Sequence, residues 1–454
     1  MHQMNTTVKN GNPLLKEPPT ALRRDFVWLA WSGFISIANS LLVWVFMARM
    51  RDVEEVGRFT IVMGLYALFF SVVSLGLMPY LVNEITRRKL SGNHIDSSVI
   101  QFASGASVFL LISGIFCSVL MAASGFLVSG SWQVRVATIV LSLAMIPSGV
   151  NAVAEAAAIA YGRTRLVAGV STLENGLRTL VPLALILAGY DILAICVSFV
   201  VVRFIAMAAY ALAGRSYIAR FAFNGDEIRA IARASPTFAS TIFFASLTWQ
   251  TPLILLGYLG SEAELAEFGA ASRFLIPVSI LMASYANAVQ PAIAKYVQLT
   301  PESWGLYLSK IASYPLFAAT CAAICSFFLS SQVLTILFGE SYERAAPILN
   351  ILAITTIPFC VIMIVARALV AVKAQRIDLF ANILGVAICV CAGAILIPRY
   401  GAVGAATAQL LAFVSMALVE VGYLSRKVRE FNVWRSASIS TAGIFIIYLI
   451  LWNQ

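Results

Sequence analysis

Residues 56–83 read VGRFTIVMGLYALFFSVVSLGLMPYLVN, and from Phe59 to Asn83 no Asp, Glu, Lys or Arg interrupts the run. As an α-helix rising 1.5 Å per residue, such a run is longer than the roughly 30 Å of hydrocarbon in a bilayer. The whole chain shares this composition. Of 454 residues, 60% are hydrophobic and 11% charged, and the mean hydropathy is +0.89. Soluble domains carry about 25% charged residues. The composition excludes a soluble enzyme, a nucleic-acid-binding module and a disordered chain, and leaves the bilayer as solvent.

Comparable runs at 26–49, 98–123, 136–161, 166–188, 192–213, 237–258, 268–294, 307–330, 347–371, 377–397, 402–424 and 436–452 complete a prediction of thirteen spans, the last only 17 residues long. The alternating segments of a membrane β-barrel do not occur. The run at 26–49 has no small-residue cleavage site and reads as a helix, not a signal peptide. The fold class is therefore an all-α polytopic membrane protein.

The net charge of +10 is a topology signal. With the N-terminus inside, cytoplasmic segments hold Lys9, Lys16, Arg23, Arg24, Arg87, Arg88, Lys89, Arg163, Arg165, Arg215, Arg220, Arg229, Arg233, Lys295, Lys310, Lys373, Arg376, Arg426, Lys427, Arg429 and Arg435. The other side holds only Arg49, Arg51, Arg58, Arg135, Arg344 and Arg399. Basic residues favour the cytoplasmic side, so this imbalance predicts an inside N-terminus and explains the basic balance without an acidic partner. Cys117, Cys196, Cys321, Cys325, Cys360, Cys389 and Cys391 all lie in apolar runs, and His2 and His94 lie outside the spans. Neither pattern predicts a metal site or any cofactor.

An internal duplication organises the chain. Gly57 and Pro79 are matched by Gly269 and Pro291, both at an offset of 212. Pro147 matches Pro358 and Arg165 matches Arg376 at 211, and Tyr190 matches Tyr400 at 210. Two six-helix halves follow, and an even helix count inserts both the same way, with a pseudo-twofold axis along the membrane normal. The expected organisation is a tail at 1–25, an N-lobe at 26–213, a cytoplasmic linker at 214–236, a C-lobe at 237–424, and a basic loop with a thirteenth helix at 425–454. The repeated prolines predict kinks at equivalent places in both lobes.

RMRDVEEVGRF at 49–59, GLMPYL at 76–81, FGESYERAAPIL at 338–349 and IPRYGAVGAATA at 397–408 together resemble the bacterial polysaccharide and O-antigen flippases of the multidrug/oligosaccharidyl-lipid/polysaccharide exporter superfamily. The resemblance covers roughly residues 20–425. It implies two six-helix bundles facing each other in a V in the bacterial inner membrane. The implied activity carries an undecaprenyl-diphosphate-linked oligosaccharide from the cytoplasmic to the outer leaflet. A polysaccharide polymerase and glycosyltransferases are the implied partners, beside membrane lipids and with no nucleic acid.

Charges at bilayer depth cost about 2.5–3.5 kcal/mol each by insertion scales, so they mark pairs or cavities. The spans contain Arg178, Arg203, Arg273 and Arg367, against Glu155, Glu174 and Glu420. A guanidinium stays charged when buried and grips a phosphate with two parallel donors, which suits a diphosphate. Arg203 is the first candidate, because no acid lies within a helical turn of it, followed by Arg273, Arg367 and Arg178. Glu174 and Arg178 stand four apart as an ion pair on one face. Arg367 is expected to snorkel or to meet Glu155, which occupies a neighbouring repeat position. Glu155, Glu174 and Glu420 are candidates for coupling or charge pairing. Asn39, Asn83, Gln250, Asn287 and Gln290 are candidate polar lining for sugars.

Other functions fit less well. A drug/cation antiporter should carry acids deep in its first or seventh helix, yet 26–49 and 237–258 have none. A peptidoglycan-precursor flippase should show fourteen helices and a more basic cavity. A membrane glycosyltransferase or polymerase needs a catalytic loop, and the longest connection, 214–236, offers only Asp226 and Glu227. No Gly-rich phosphate loop is present, so the chain reads as a carrier and not an enzyme.

Overall fold

Proline decides where several of the helices break. The computed structural model describes residues 41–90, 97–128, 130–213, 224–299, 304–428 and 431. Within them the helices are α1 (Leu41–Met50), α2 (Val53–Val73), α3 (Met78–Leu90), α4 (Ser97–Val128), α5 (Trp132–Ser142), α6 (Met145–Ala160) and α7 (Thr164–Leu187). They continue as α8 (Ile192–Ala213), α9 (Gly225–Leu259), α10 (Glu262–Ser272), α11 (Leu275–Leu299), α12 (Trp304–Phe338), α13 (Ala346–Ala371) and α14 (Gln375–Lys427). Proline lacks an N–H and crowds the carbonyl four residues earlier. Pro79, Pro147 and Pro277 therefore disturb Leu75, Leu143 and Arg273, which fall at the breaks between α2 and α3, α5 and α6, and α10 and α11. Leu75 and Gly76 both take left-handed backbone, with φ of 51° and 65°. The Arg273 carbonyl accepts instead from the Ile276 N–H, at 3.3 Å.

Among the described residues, ten helical stretches are long and apolar enough to cross a membrane. The last of them, α14, has 53 residues and turns back at Gly401, whose φ of 55° and ψ of −130° leave the helical region. Gly385 lies against Met416 and Gly393 near Ala408, so the two arms run antiparallel as the spans expected at 377–397 and 402–424. The predicted span at 26–49 is described only as α1. The span at 436–452 lies outside the described residues.

One expectation gains detail and one changes. Part of the linker at 214–236 is helical: α9 begins at Gly225, with the Asn224 side chain accepting from the Asp226 and Glu227 N–H groups at 3.2 and 3.4 Å. That cap, with two acids in the first turn, starts a helix well before the apolar run. The proline pairs also do not break their helices in register. The eighth span breaks at Pro277, while Pro291 lies within α11 and Pro358 within the continuous α13.

α2 packs along α9 and α10, so the halves meet closely. The repeated glycines are the contact points. A Cβ on Gly57 would collide with the Glu262 carbonyl oxygen, and one on Gly269 would stand 2.6 Å from Thr60 Oγ1. The largest core draws on both halves, joining Trp44, Phe59 and Leu65 to Leu256, Phe268 and Leu352. Ion pairs cross the junction at both ends. At one end Arg58 Nε lies 2.7 Å from Glu262 Oε2, Arg58 also meets Gln133, and Arg49 donates to the Leu337 and Ile336 carbonyls. At the other, Arg88 grips Glu227 with two bonds of 2.6 and 2.9 Å, reaches Glu84 at 2.8 Å and covers the Phe102 ring. The prediction is direct. Gly57→Ala overpacks the junction and lowers stability by about 1–3 kcal/mol, read as a lower unfolding temperature in detergent. Gly169→Ala, with open space around it, removes only backbone freedom and should leave stability equal or slightly raised.

Candidate functional site

Four candidate residues converge in the first half. α7 carries Glu174 and Arg178, and Arg178 Nη1 stands 3.7 Å from Glu174 Oε1. The neighbouring α8 carries Arg203, whose Nη1 lies 2.7 Å from the same Glu174 oxygen. Arg203 is buried, with its side chain 8% exposed. Its Nε donates to the Tyr66 hydroxyl at 3.1 Å, and its guanidinium lies 4.2 Å from the centre of the Phe70 ring. Asn151 donates to the Arg203 carbonyl at 3.5 Å. Arg178 stacks over Phe199 at 4.9 Å and over Tyr66 at 5.7 Å. Glu155 on α6 lies within electrostatic reach of Glu174 and Arg203.

Two guanidiniums and two carboxyls thus form one closed set. Arg203 lacks an acid along its own helix, as its sequence indicates, but α7 supplies one across the helix contact. A buried pair of this kind is expensive to break, because removing one partner strands the other. The aromatic ring under Arg203 comes from α2 and was not legible from spacing.

Arg273 has different surroundings. It caps the end of α10 at the Pro277 break, and its guanidinium lies 3.8 Å from the centre of the Trp44 ring on α1. Trp44 belongs to the first half and Arg273 to the second, so the contact crosses the junction. Arg273 Nε is buried with no hydrogen-bond partner, and no acid among the described residues pairs with the guanidinium. The ring face satisfies a cation while leaving its N–H edge uncommitted.

Arg367 on α13 feels Asp378 on the first arm of α14. Of its two expected fates, snorkelling or meeting Glu155, the second gains no support, since the charged groups that act on Glu155 among the described residues are Glu174 and Arg203. Glu420, on the second arm of α14, is wholly buried and faces Asp378. Asp378 escaped the sequence tally although it falls inside the span predicted at 377–397, just past its start. Asn39 lies outside the described residues. Asn83 and Asn287 are exposed, Gln290 is half-buried, and Gln250 lies close to Gly64 on the α2–α9 contact. A cavity of about 350 Å³ opens at the Arg58–Glu262 end, bounded also by Ile61, Arg135, Gly257 and Leu265.

Comparison with known proteins gives this arrangement a context. A family model described as polysaccharide biosynthesis protein matches residues 46–347. The fold is that of the MOP-superfamily transporters. It matches the lipid II flippase MurJ in an inward closed conformation with a TM-score of 0.72 at 13% identity, covering 94% of this chain and 93% of that one. A multidrug resistance MATE family transporter of the MOP superfamily, inward-facing, matches with a TM-score of 0.67 at 13% identity, covering 92% and 99%. A MOP-superfamily transporter from Pyrococcus furiosus matches at 0.57 and 15% identity, covering 88% and 94%. No curated protein sequence matches the chain.

The closed charge set makes its own prediction. Arg203→Met and Glu174→Gln should each destabilise the folded protein by about 3 kcal/mol, the penalty of stranding a buried charge. The double variant should lose clearly less than the sum, with a coupling of about 1–3 kcal/mol. Unfolding midpoints of the four purified proteins check this.

Proposed function

This chain belongs to the polysaccharide biosynthesis protein family, and from that premise we propose that it carries a polyprenyl-diphosphate-linked oligosaccharide from the inner to the outer leaflet of a bacterial inner membrane. The single observation that carries the reading is Arg273. Arg178 and Arg203 share Glu174, whereas Arg273 rests on Trp44 with its Nε unpartnered and no acid beside it among the described residues. A charge that no acid among the described residues neutralises, held at the seam between the halves, suits an anionic head group that must pass through a low-dielectric layer. Arg273 is therefore the leading diphosphate-binding residue, ahead of Arg203, Arg367 and Arg178. The two halves act as N-lobe and C-lobe, rocking to expose the seam to one side at a time. The Arg58–Glu262 and Arg88–Glu227 pairs fasten its opposite ends. On this reading the end bearing Arg88 is cytoplasmic, and the neutral sugars meet amide side chains such as Gln250. Glycosyltransferases supply the lipid-linked unit and a polymerase consumes it.

A second reading, a peptidoglycan-precursor flippase, draws support from the fold match to a lipid II flippase at a TM-score of 0.72. Drug/cation antiport draws less support, since neither 26–49 nor 237–258 contains an acid.

The test is made in the native host. Arg273→Ala should cost the transition or bound state one charged hydrogen bond, about 1.5–3 kcal/mol, and so lower surface polysaccharide about ten- to hundredfold at unchanged protein level. Arg273→Lys keeps the charge without the fork and should retain part of the activity. Full surface polysaccharide in a well-expressed Arg273→Ala strain would remove Arg273 from the site. Lysis with intact surface polysaccharide on deletion of the gene would favour the peptidoglycan reading.

A further inference from the structure

The described part of the second half contains a pair of acids that neither the junction nor the proposed path uses. Asp378 lies one turn into the first arm of α14, and Glu420 lies two turns before the end of the second arm. The arms pair in antiparallel register about Gly401, as the contacts of Gly385 with Met416 and Gly393 with Ala408 fix it. That register carries residues near 378 and 420 to the same level of the hairpin. Glu420 is 0% exposed, and neither of its carboxyl oxygens has a hydrogen-bond donor among the described residues. The group within hydrogen-bonding range of it is another acceptor, the Asp378 carboxyl. Asp378 is itself held by the Asn382 side chain, whose Nδ2 donates to the Asp378 carbonyl at 2.9 Å and to Oδ1 at 3.1 Å. Around the pair the hairpin is apolar, with Ala381, Met416 and Leu424 buried.

We infer that Asp378 and Glu420 form a proton-binding site inside the second half, one proton bridging the two carboxyls.

The chemistry follows from the inventory of donors. Two ionised carboxylates facing each other repel, and the wholly buried Glu420 would lack the donors that water would supply outside, whereas the half-buried Asp378 keeps the Asn382 amide. One proton on Glu420 removes one charge and turns an orphaned acceptor into an O–H that donates to Asp378. The remaining negative charge rests on Asp378, where the Asn382 amide donates to it and Arg367 on α13 adds a favourable electrostatic contribution. Arg367, Asp378 and Asn382 are the charged or polar partners of the site among the described residues. A metal cation fits the same place poorly. Asn382 has turned its N–H groups toward Asp378 and offers it no oxygen, and no cluster of three acids, histidines or cysteines occurs among the described residues. No bond to carbon or sulfur changes: the proton comes from water and returns to it. The site is independent of which lipid the protein moves.

The full-length protein in lipid vesicles provides the test, by infrared difference spectra at neutral pH in light and heavy water. The expected result is a protonated-carboxyl band in the wild type, absent in Glu420→Gln and moved in frequency in Asp378→Asn. Gln can still donate to Asp378, so Glu420→Gln should fold. Exchanging potassium for sodium chloride should leave the band in place. A wild type with no such band, or a band unchanged in Glu420→Gln, overturns the proposal. So does a band abolished by sodium, which would make this a metal-cation site. If Glu420→Gln fails to accumulate in the membrane, Asp378→Asn decides alone: a moved band supports the shared proton and an unmoved band refutes it.

Discussion

Hydrocarbon has no hydrogen bonds to offer, and every ionised or polar group that enters it must be met by the protein itself. That constraint orders most of what is seen here. It makes the chain helical, since only a helix satisfies its own backbone across a bilayer. It also sorts the intramembrane charges into local sets. Arg178, Arg203, Glu155 and Glu174 settle among themselves on α6, α7 and α8. Arg367, Asp378 and Glu420 gather around the α14 hairpin. Among the described residues Arg273 belongs to neither set and takes an aromatic face in place of a carboxylate. Its position at a proline break, where the backbone is already irregular, is the sort of place where a membrane helix borders a cavity or a protein seam.

The seam itself is shaped by absence of side chains. Gly57 and Gly269 let α2 and α10 approach until backbone and hydroxyl atoms leave no space for a methyl group. Close contact at these points, a hydrophobic core shared by both halves, and ion pairs at either end of the α2–α3 span give the halves a defined fit. Packed contacts of this type favour discrete arrangements over gradual deformation. A carrier that alternates its access needs an interface of that kind.

The fold was legible in the sequence because its main determinant is composition. Uncharged runs the length of a bilayer located the spans, and the α14 hairpin was readable because Pro398-Arg399-Tyr400-Gly401 interrupts two apolar runs. The repeated glycines were also readable, and both lie at the contact between the halves. The prolines were less reliable guides. Pro277, which breaks the eighth span, has no part in the repeat, while Pro358 is accommodated inside α13. The charges were legible as a list and not as a set of partners. Spacing along one helix reveals the Glu174–Arg178 pair, but the link from Glu174 to Arg203 depends on how α7 turns toward α8. The Trp44 ring beneath Arg273 depends on a contact some 229 positions away in the chain, from 44 to 273, which periodicity cannot report.

The central claim, that this protein moves a polyprenyl diphosphate carrying sugars between leaflets, is tested most directly in vesicles containing only the purified protein. A fluorescent polyprenyl-diphosphate oligosaccharide placed in one leaflet is followed with an impermeant quencher or sugar-modifying enzyme. The prediction is protein-dependent transfer to the other leaflet, strongly reduced when the diphosphate is replaced by an uncharged linkage. Transfer no faster than in protein-free vesicles, or equally fast without the diphosphate, would contradict it.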